Sequence, residues 1–249
     1  MLLLIGRAHA QPPPSRGAHP IIKYHLEPAT GSISELERHY SLSQLLLLQK
    51  LNRTDLEHLV RLEEMVVPEQ WYYNELIYSP LPDTYAWAFQ YPKVIVVEQK
   101  YQVFGAFEQG HLVRWGPISS GRKSNPTPEG LFNLKWKAEE HYSTDNENWR
   151  LPWYFNFINF RGLGFHQFEM PGYPASHSCV RLLESDAEWI YEWGEQWKLD
   201  ANGEVVLQKG TPVIVLGKYD YNVAPPWLDP GNLESIILLP PDPVINHNP

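Results

Sequence analysis

Gly164-Phe165-His166-Gln167, followed by Tyr173-Pro174-Ala175-Ser176-His177-Ser178-Cys179-Val180-Arg181-Leu182, brings two imidazoles, the only cysteine of the chain and a guanidinium into one short stretch. If Cys179 to Arg181 is extended, the two-residue period of a strand sets Arg181 on the same side as the thiol and as His177. The sulfur then sits in positive surroundings, which favour the thiolate. A nucleophilic cysteine also needs a base within hydrogen-bond reach. His166, beside Gly164 near a strand end, can reach it across the turn Met170-Pro171-Gly172-Tyr173-Pro174. Backbone N–H groups of Ser178 and Cys179 are the natural donors to an oxyanion on the attacked carbonyl. Two competing readings stay open. A single cysteine is commonly an inert buried residue, and His166, His177 and Cys179 could ligate zinc, although H-x-C here lacks a paired C-x-x-C or H-E-x-x-H context.

Outward from this stretch the pattern is mostly β. Val94 to Glu98, Tyr101 to Phe107 and His111 to Ser119 read as a meander of hairpins, and Leu131 to Lys137, Tyr154 to Phe160, Glu204 to Gln208 and Val213 to Leu216 continue it. One main helix is expected after Glu184-Ser185, with Trp189, Ile190, Trp193 and Trp197 on a face that packs into the core. Upstream, Ser32 and Glu35 have capping-box spacing before a short helix carrying Ile33, Leu36 and Tyr40. Ser43 can cap a second helix with Leu45, Leu48 and Leu51 on one face, ended by Arg53-Thr54-Asp55. Extended pieces at Ile21 to Leu26 and Met65 to Pro68 flank the pair, giving a strand, helix, helix, strand order.

Composition limits the partners. The 249 residues hold 20 Lys and Arg against 29 Asp and Glu, a net charge of −9, with the cations dispersed. Nucleic acid is therefore not the expected partner, because phosphate neutralisation needs clustered cations. No apolar run approaches the roughly 18 residues of a membrane span. One cysteine excludes an intramolecular disulfide. Met1-Leu2-Leu3-Leu4-Ile5 before Ala8-His9-Ala10 reads as the remnant of a truncated export signal. The 23 prolines concentrate at Pro12 to Pro20 and from Pro225 onward, where extended or irregular ends are expected.

Ser176-His177-Ser178-Cys179-Val180-Arg181-Leu182 after Phe165-His166 resembles the S-H-G-C-[IV]-R-[LM] active-site signature of YkuD-type L,D-transpeptidases, with Ser178 in the usual glycine position. Val94 to Val97 with Tyr101 to Phe104, Ser120-Gly121, Pro126-Thr127-Pro128-Glu129-Gly130-Leu131-Phe132 and Gly210-Thr211-Pro212-Val213-Ile214-Val215 resemble that family's opening strands, turns and closing strand. The resemblance implies a β-sandwich with the cysteine at the end of a central strand, and peptidoglycan stem peptides as substrate. It implies that Cys179 is the nucleophile, that His166 is its base, and that His177 and Arg181 shape the site with Ser176 and Ser178. No cofactor or metal is implied. The N-terminal part is similar to a LysM module, a binder of N-acetylglucosamine-containing glycans, on Tyr24-His25-Leu26, Ile33-Ser34-Glu35-Leu36, Leu51-Asn52 and Val66-Val67-Pro68. The expected organisation is a disordered or signal-remnant tail at 1–20, a βααβ LysM-like peptidoglycan-binding module at 21–70, a linker at 71–92, the catalytic domain at 93–220 and a Pro-rich tail at 221–249. The resemblance implies a cysteine-dependent L,D-transpeptidase of the periplasm or cell envelope, forming a thioester on tetrapeptide stems. An L,D-carboxypeptidase, a general cysteine peptidase and a non-catalytic wall-binding protein remain the alternatives.

Overall fold

The computed structural model describes residues 21–143 and 146–243. The signal remnant and proline run expected before Ile21 lie outside the described residues. The first unit holds β1 (Tyr24–Pro28), α1 (Ile33–His39), α2 (Leu42–Asn52), α3 (Leu56–Leu59) and β2 (Glu64–Pro68). β1 and β2 pair antiparallel, with Leu26 opposite Val66. The capping box sits one helix later than the spacing predicts. Ser32 makes no side-chain capping bond, whereas Ser41 accepts from the Gln44 N–H at 3.4 Å and donates its own N–H to Gln44 Oε1 at 2.8 Å. Asp55 does not merely end the second helix. It starts a third, accepting the His58 N–H at 2.9 Å. α2 is buried on two sides, with Leu45 and Leu48 facing Leu36, Leu59 and Met65 and Leu47 and Leu51 facing Val103, Trp115 and Trp227. A helix so placed is a wall shared by two cores.

The larger unit is a mostly β sandwich. Its strands are β3 (Lys93–Glu98), β4 (Val103–Glu108), β5 (His111–Pro117), β6 (Gly130–Asn133), β7 (Lys137–Tyr142), β8 (Arg150–Ile158), β9 (Leu163–Gln167) and β10 (Val180–Leu182). Then come α4 (Glu184–Trp193), β11 (Lys198–Leu199), β12 (Val206–Gln208) and β13 (Pro212–Leu216). Two sheets face each other, in the orders β5-β4-β3-β13-β6 and β10-β9-β8-β7. Ile95, Val97 and Val213 of the first meet Phe157, Phe165 and Val180 of the second, with Ala187 and Ile190 of α4 closing the core. On the outer face of the first sheet, Val94, Val96 and Ile214 pack beneath Tyr85 and Ala88 of the connector. Strands buried on both faces explain the unbroken apolar runs at Val94–Val97 and Val213–Leu216.

Several expectations shift. Tyr101-Gln102 forms the turn before β4, with Gln102 at φ 49. α4 ends before Gly194, so Trp197 lies beyond it, and Trp189 and Trp193 stack on each other half-buried (4.9 Å, 19°) rather than entering the core. The cysteine precedes β10, an edge strand, and not a central one. The Pro-rich C-terminal stretch is not irregular throughout. A helical turn at Pro226–Leu228 and α5 (Pro230–Leu233) carry buried Trp227 and Leu233 into the core shared with Tyr24 and Trp115. Among the described residues, no helix is long and apolar enough to cross a membrane.

Candidate active site

β10 runs parallel to β9, with Val180 opposite Phe165 and Arg181 opposite His166. Along β10, Val180 and Leu182 enter the core, whereas Arg181, on the strand's other face, and Cys179, packed against that core just before the strand, are only partly buried. Cys179 and Arg181 line a pocket of about 220 Å³ whose wall also includes His166, Ser176, His177 and Ser178. All six residues singled out in the sequence thus meet at one pocket. His177 does so by a different route from the one expected. Ser178 has φ 82, which breaks the extended line, and His177 turns to set its ring edge-on to Trp149 at 4.9 Å. A left-handed conformation costs a non-glycine residue about 1 kcal/mol or more. The Ser178 hydroxyl donates to the Asn125 carbonyl at 3.0 Å, which offsets part of that cost.

His166 is buried, at 4% exposure. Its Nδ1 lies 3.0 Å from the Gln167 carbonyl oxygen. A carbonyl only accepts, so Nδ1 carries the hydrogen and Nε2 the basic lone pair. The Phe168 ring meets the imidazole edge-on at 5.9 Å. Burial pushes the imidazole pKa down to about 4, the Gln167 bond opposes this, and the nearby Arg181 charge adds to the depression. The imidazole is therefore neutral near pH 7. Arg181 is half-buried with its guanidinium 4.5 Å over the Phe168 ring, and it donates to the Glu169 carbonyl at 3.3 Å. It both faces the pocket and braces the loop that leads to Cys179.

The segment from Ser119 to Thr127 fastens the cysteine from the other side. Ser119 and Arg181 exchange backbone bonds of 3.1 and 3.0 Å, and the Ser176 N–H donates to Ser120 O at 3.1 Å. Thr127 Oγ1 donates to the Ser178 carbonyl at 2.9 Å and accepts the Gly121 N–H at 2.8 Å. A Cβ on Gly121 would lie 2.2 Å from Asn125 O, so only glycine fits this turn. Ser176 Oγ donates to the Cys179 carbonyl at 2.5 Å.

The sequence reading missed Tyr154, which adjoins this site, and His141, Trp149 and Arg161, which line the pocket. The Tyr154 hydroxyl donates to Gly162 O at 2.9 Å, and Cys179 Sγ lies 3.8 Å from that same oxygen. His141 packs on the Tyr154 ring at 4.4 Å. These residues come from the β7–β8 hairpin and the turn before β9, and only sheet pairing brings them to Cys179; no local motif marks them. Among the described residues no three His, Cys, Asp or Glu side chains group to hold a metal.

Residues 92–215 match the family model of the YkuD L,D-transpeptidase catalytic domain. This part of the chain is a YkuD domain. The YkuD domain spans every strand from β3 to β10, α4 and nearly all of β13, and the L,D-transpeptidase family it represents acts on peptidoglycan. Among solved structures, an L,D-transpeptidase from Stackebrandtia nassauensis is similar at 26% identity, with 52% of this chain and 58% of that one covered and a TM-score of 0.42. An L,D-transpeptidase from Mycobacterium tuberculosis H37Rv is similar at 25% identity, over 51% and 58%, with a TM-score of 0.40. The match covers somewhat more than half the length of these relatives. No curated protein sequence matches the chain.

Proposed function

We propose that the protein is a peptidoglycan L,D-transpeptidase that works through a thioester on Cys179. The observation carrying this reading is a neutral, buried imidazole with its acceptor nitrogen fixed by the Nδ1 bond to Gln167, in the pocket that the thiol also lines. His166 Nε2 takes the thiol proton as sulfur attacks the carbonyl of the third residue of a tetrapeptide stem. Sulfur forms the C–S bond, the carbonyl π pair moves to oxygen, and the N–H groups of Ser178 and Cys179 receive that oxyanion. Collapse breaks the C–N bond, and the terminal D-amino acid leaves with the proton returned from His166. An amine of a second stem then attacks the thioester and restores the thiol, giving a cross-link, and water in its place gives an L,D-carboxypeptidase. Arg181 pairs with a substrate carboxylate, and His177 and Ser176 shape the wall of the site.

On this reading the protein works in the periplasm or cell envelope, where its substrate is built, and the LysM-like sequence at 21–70 adds contact with the glycan as a secondary role. The reading is tested by intact mass after incubation with a carbapenem, whose strained β-lactam carbonyl acylates a nucleophilic thiol. The expected result is one adduct on the wild-type chain and none on Cys179→Ala. An unmodified wild type, or an adduct retained by Cys179→Ala, overturns it.

A further inference from the structure

The loop between His166 and Cys179 is held from outside the YkuD domain. Thr54 and Pro171 form an antiparallel bridge. The Asp55 N–H donates to the Met170 carbonyl at 3.0 Å, and the Met170 N–H donates to Asp55 Oδ2 at 2.7 Å. One residue of the N-terminal unit thus meets both main-chain polar groups of Met170, whose side chain is fully buried. The other carboxylate oxygen, Oδ1, accepts the His58 N–H at 2.9 Å at the start of α3. Gly172, at φ 87, lets the loop come this close, since a Cβ there would lie 3.0 Å from Thr54 Cγ2.

The base of this contact is anchored. Arg53, fully buried, donates from Nε to the Tyr101 carbonyl at 3.1 Å and lies between the rings of Trp115 and Trp227, 5.7 Å from each. Its left-handed backbone, φ 59, turns the chain so that Thr54 and Asp55 reach the loop. At the other end, Met170 directly follows the two residues that fix Arg181, the Phe168 ring and the Glu169 carbonyl. Phe168 also meets the His166 ring, and Arg181 lies beside His166 in the β9–β10 register.

We infer that Asp55 is a positioning residue for the reaction at Cys179: through Met170 it sets the loop that holds Arg181 and the His166 ring. The inference rests on the transpeptidase reading for its bearing on turnover, while the reactivity of the thiol tests it independently. A carboxylate is required because it accepts at both oxygens. Asparagine has one acceptor, so it opposes either the His58 or the Met170 N–H with its own amide hydrogens. Serine keeps the helix cap and is too short to reach Met170.

The experiment measures the rate of Cys179 alkylation by iodoacetamide across pH 5 to 9 on the full chain, with thermal unfolding of the same preparations. Asp55→Ser and Asp55→Asn are expected to slow alkylation by about 10- to 100-fold and to change its pH profile, while the melting temperature falls by only a few degrees. An alkylation rate and profile equal to wild type in either folded variant overturns the inference, including the case where only stability falls. Hydrogen exchange gives a second readout: Phe168 to Tyr173 should lose protection while β3 and β13 keep theirs, and unchanged protection of that loop also overturns it. A wild type that forms no carbapenem adduct, but whose alkylation slows in Asp55→Ser, rejects the transpeptidase reading and keeps the role of Asp55. The reverse pair of results rejects that role alone.

Discussion

His166 is neutral because burial outweighs the single bond from Nδ1, and this has a consequence for stability. In the unfolded chain the imidazole titrates near its usual 6.5, and in the folded protein near 4. Between those values the unfolded state binds more protons, so stability rises with pH and is lost as pH falls from about 6.5 to 4. The loss from this group is about 3 kcal/mol. Urea unfolding from pH 7.5 to 4 should therefore show a shallower decline for His166→Gln than for wild type, and equal slopes would contradict the burial argument. At this scale the sequence was informative where residues are neighbours in the chain. Cys179, Arg181 and His177 announce themselves in one motif. Ser178 stands where the resembled signature has glycine, and it sits at φ 82. Tyr154 and His141 were not legible, because only the pairing of β7, β8 and β9 brings them near the thiol.

The turn from Gly121 to Thr127 is the element that ties the first sheet to the cysteine. Thr127 Oγ1 bridges the Gly121 N–H and the Ser178 carbonyl, so it fixes the unusual backbone just before Cys179. Thr127→Val keeps the shape and removes both bonds, leaving two buried backbone groups unpaired. It should cost about 1–3 kcal/mol and slow carbapenem acylation, while Thr127→Ser restores both. A fully stable, fully reactive Thr127→Val would remove the turn from the account. Most strands were legible, since β-branched and aromatic runs between glycine and proline turns are a strong signal. Helix boundaries were less so. Ser32-x-x-Glu35 and Ser41-x-x-Gln44 have the same spacing, and only the second forms the capping box. α3 escaped notice because Asp55 looks like a helix end until its carboxylate is seen to cap His58 and to hold Met170.

Across the whole molecule, the N-terminal unit, the sandwich and the C-terminal segment share one core, in which Tyr24, Leu51, Trp115 and Trp227 meet. Arg53 sits between the two indoles, and burial pushes its pKa down to about 9. Trp227→Ala should thus cost about 3–5 kcal/mol in denaturant unfolding, and a cost below about 1 kcal/mol would show that the C-terminal segment is a loose appendage. This was not legible because prolines dominate the stretch and Trp227 carries no periodicity. For the same reason the proposed glycan contact of residues 21–70 is best tested between folded point variants, since a chain starting at Trp71 would expose Val103, Trp115 and Trp227. The proposed function rests on the chemistry of one sulfur atom. Incubation with a tetrapeptide stem, an acid quench and intact mass spectrometry report it most directly. The account predicts a tripeptide acyl group on Cys179 with release of the terminal D-amino acid, and no adduct on Cys179→Ala. Release of that amino acid by Cys179→Ala, or a wild type that cleaves the stem after a different residue, would contradict it.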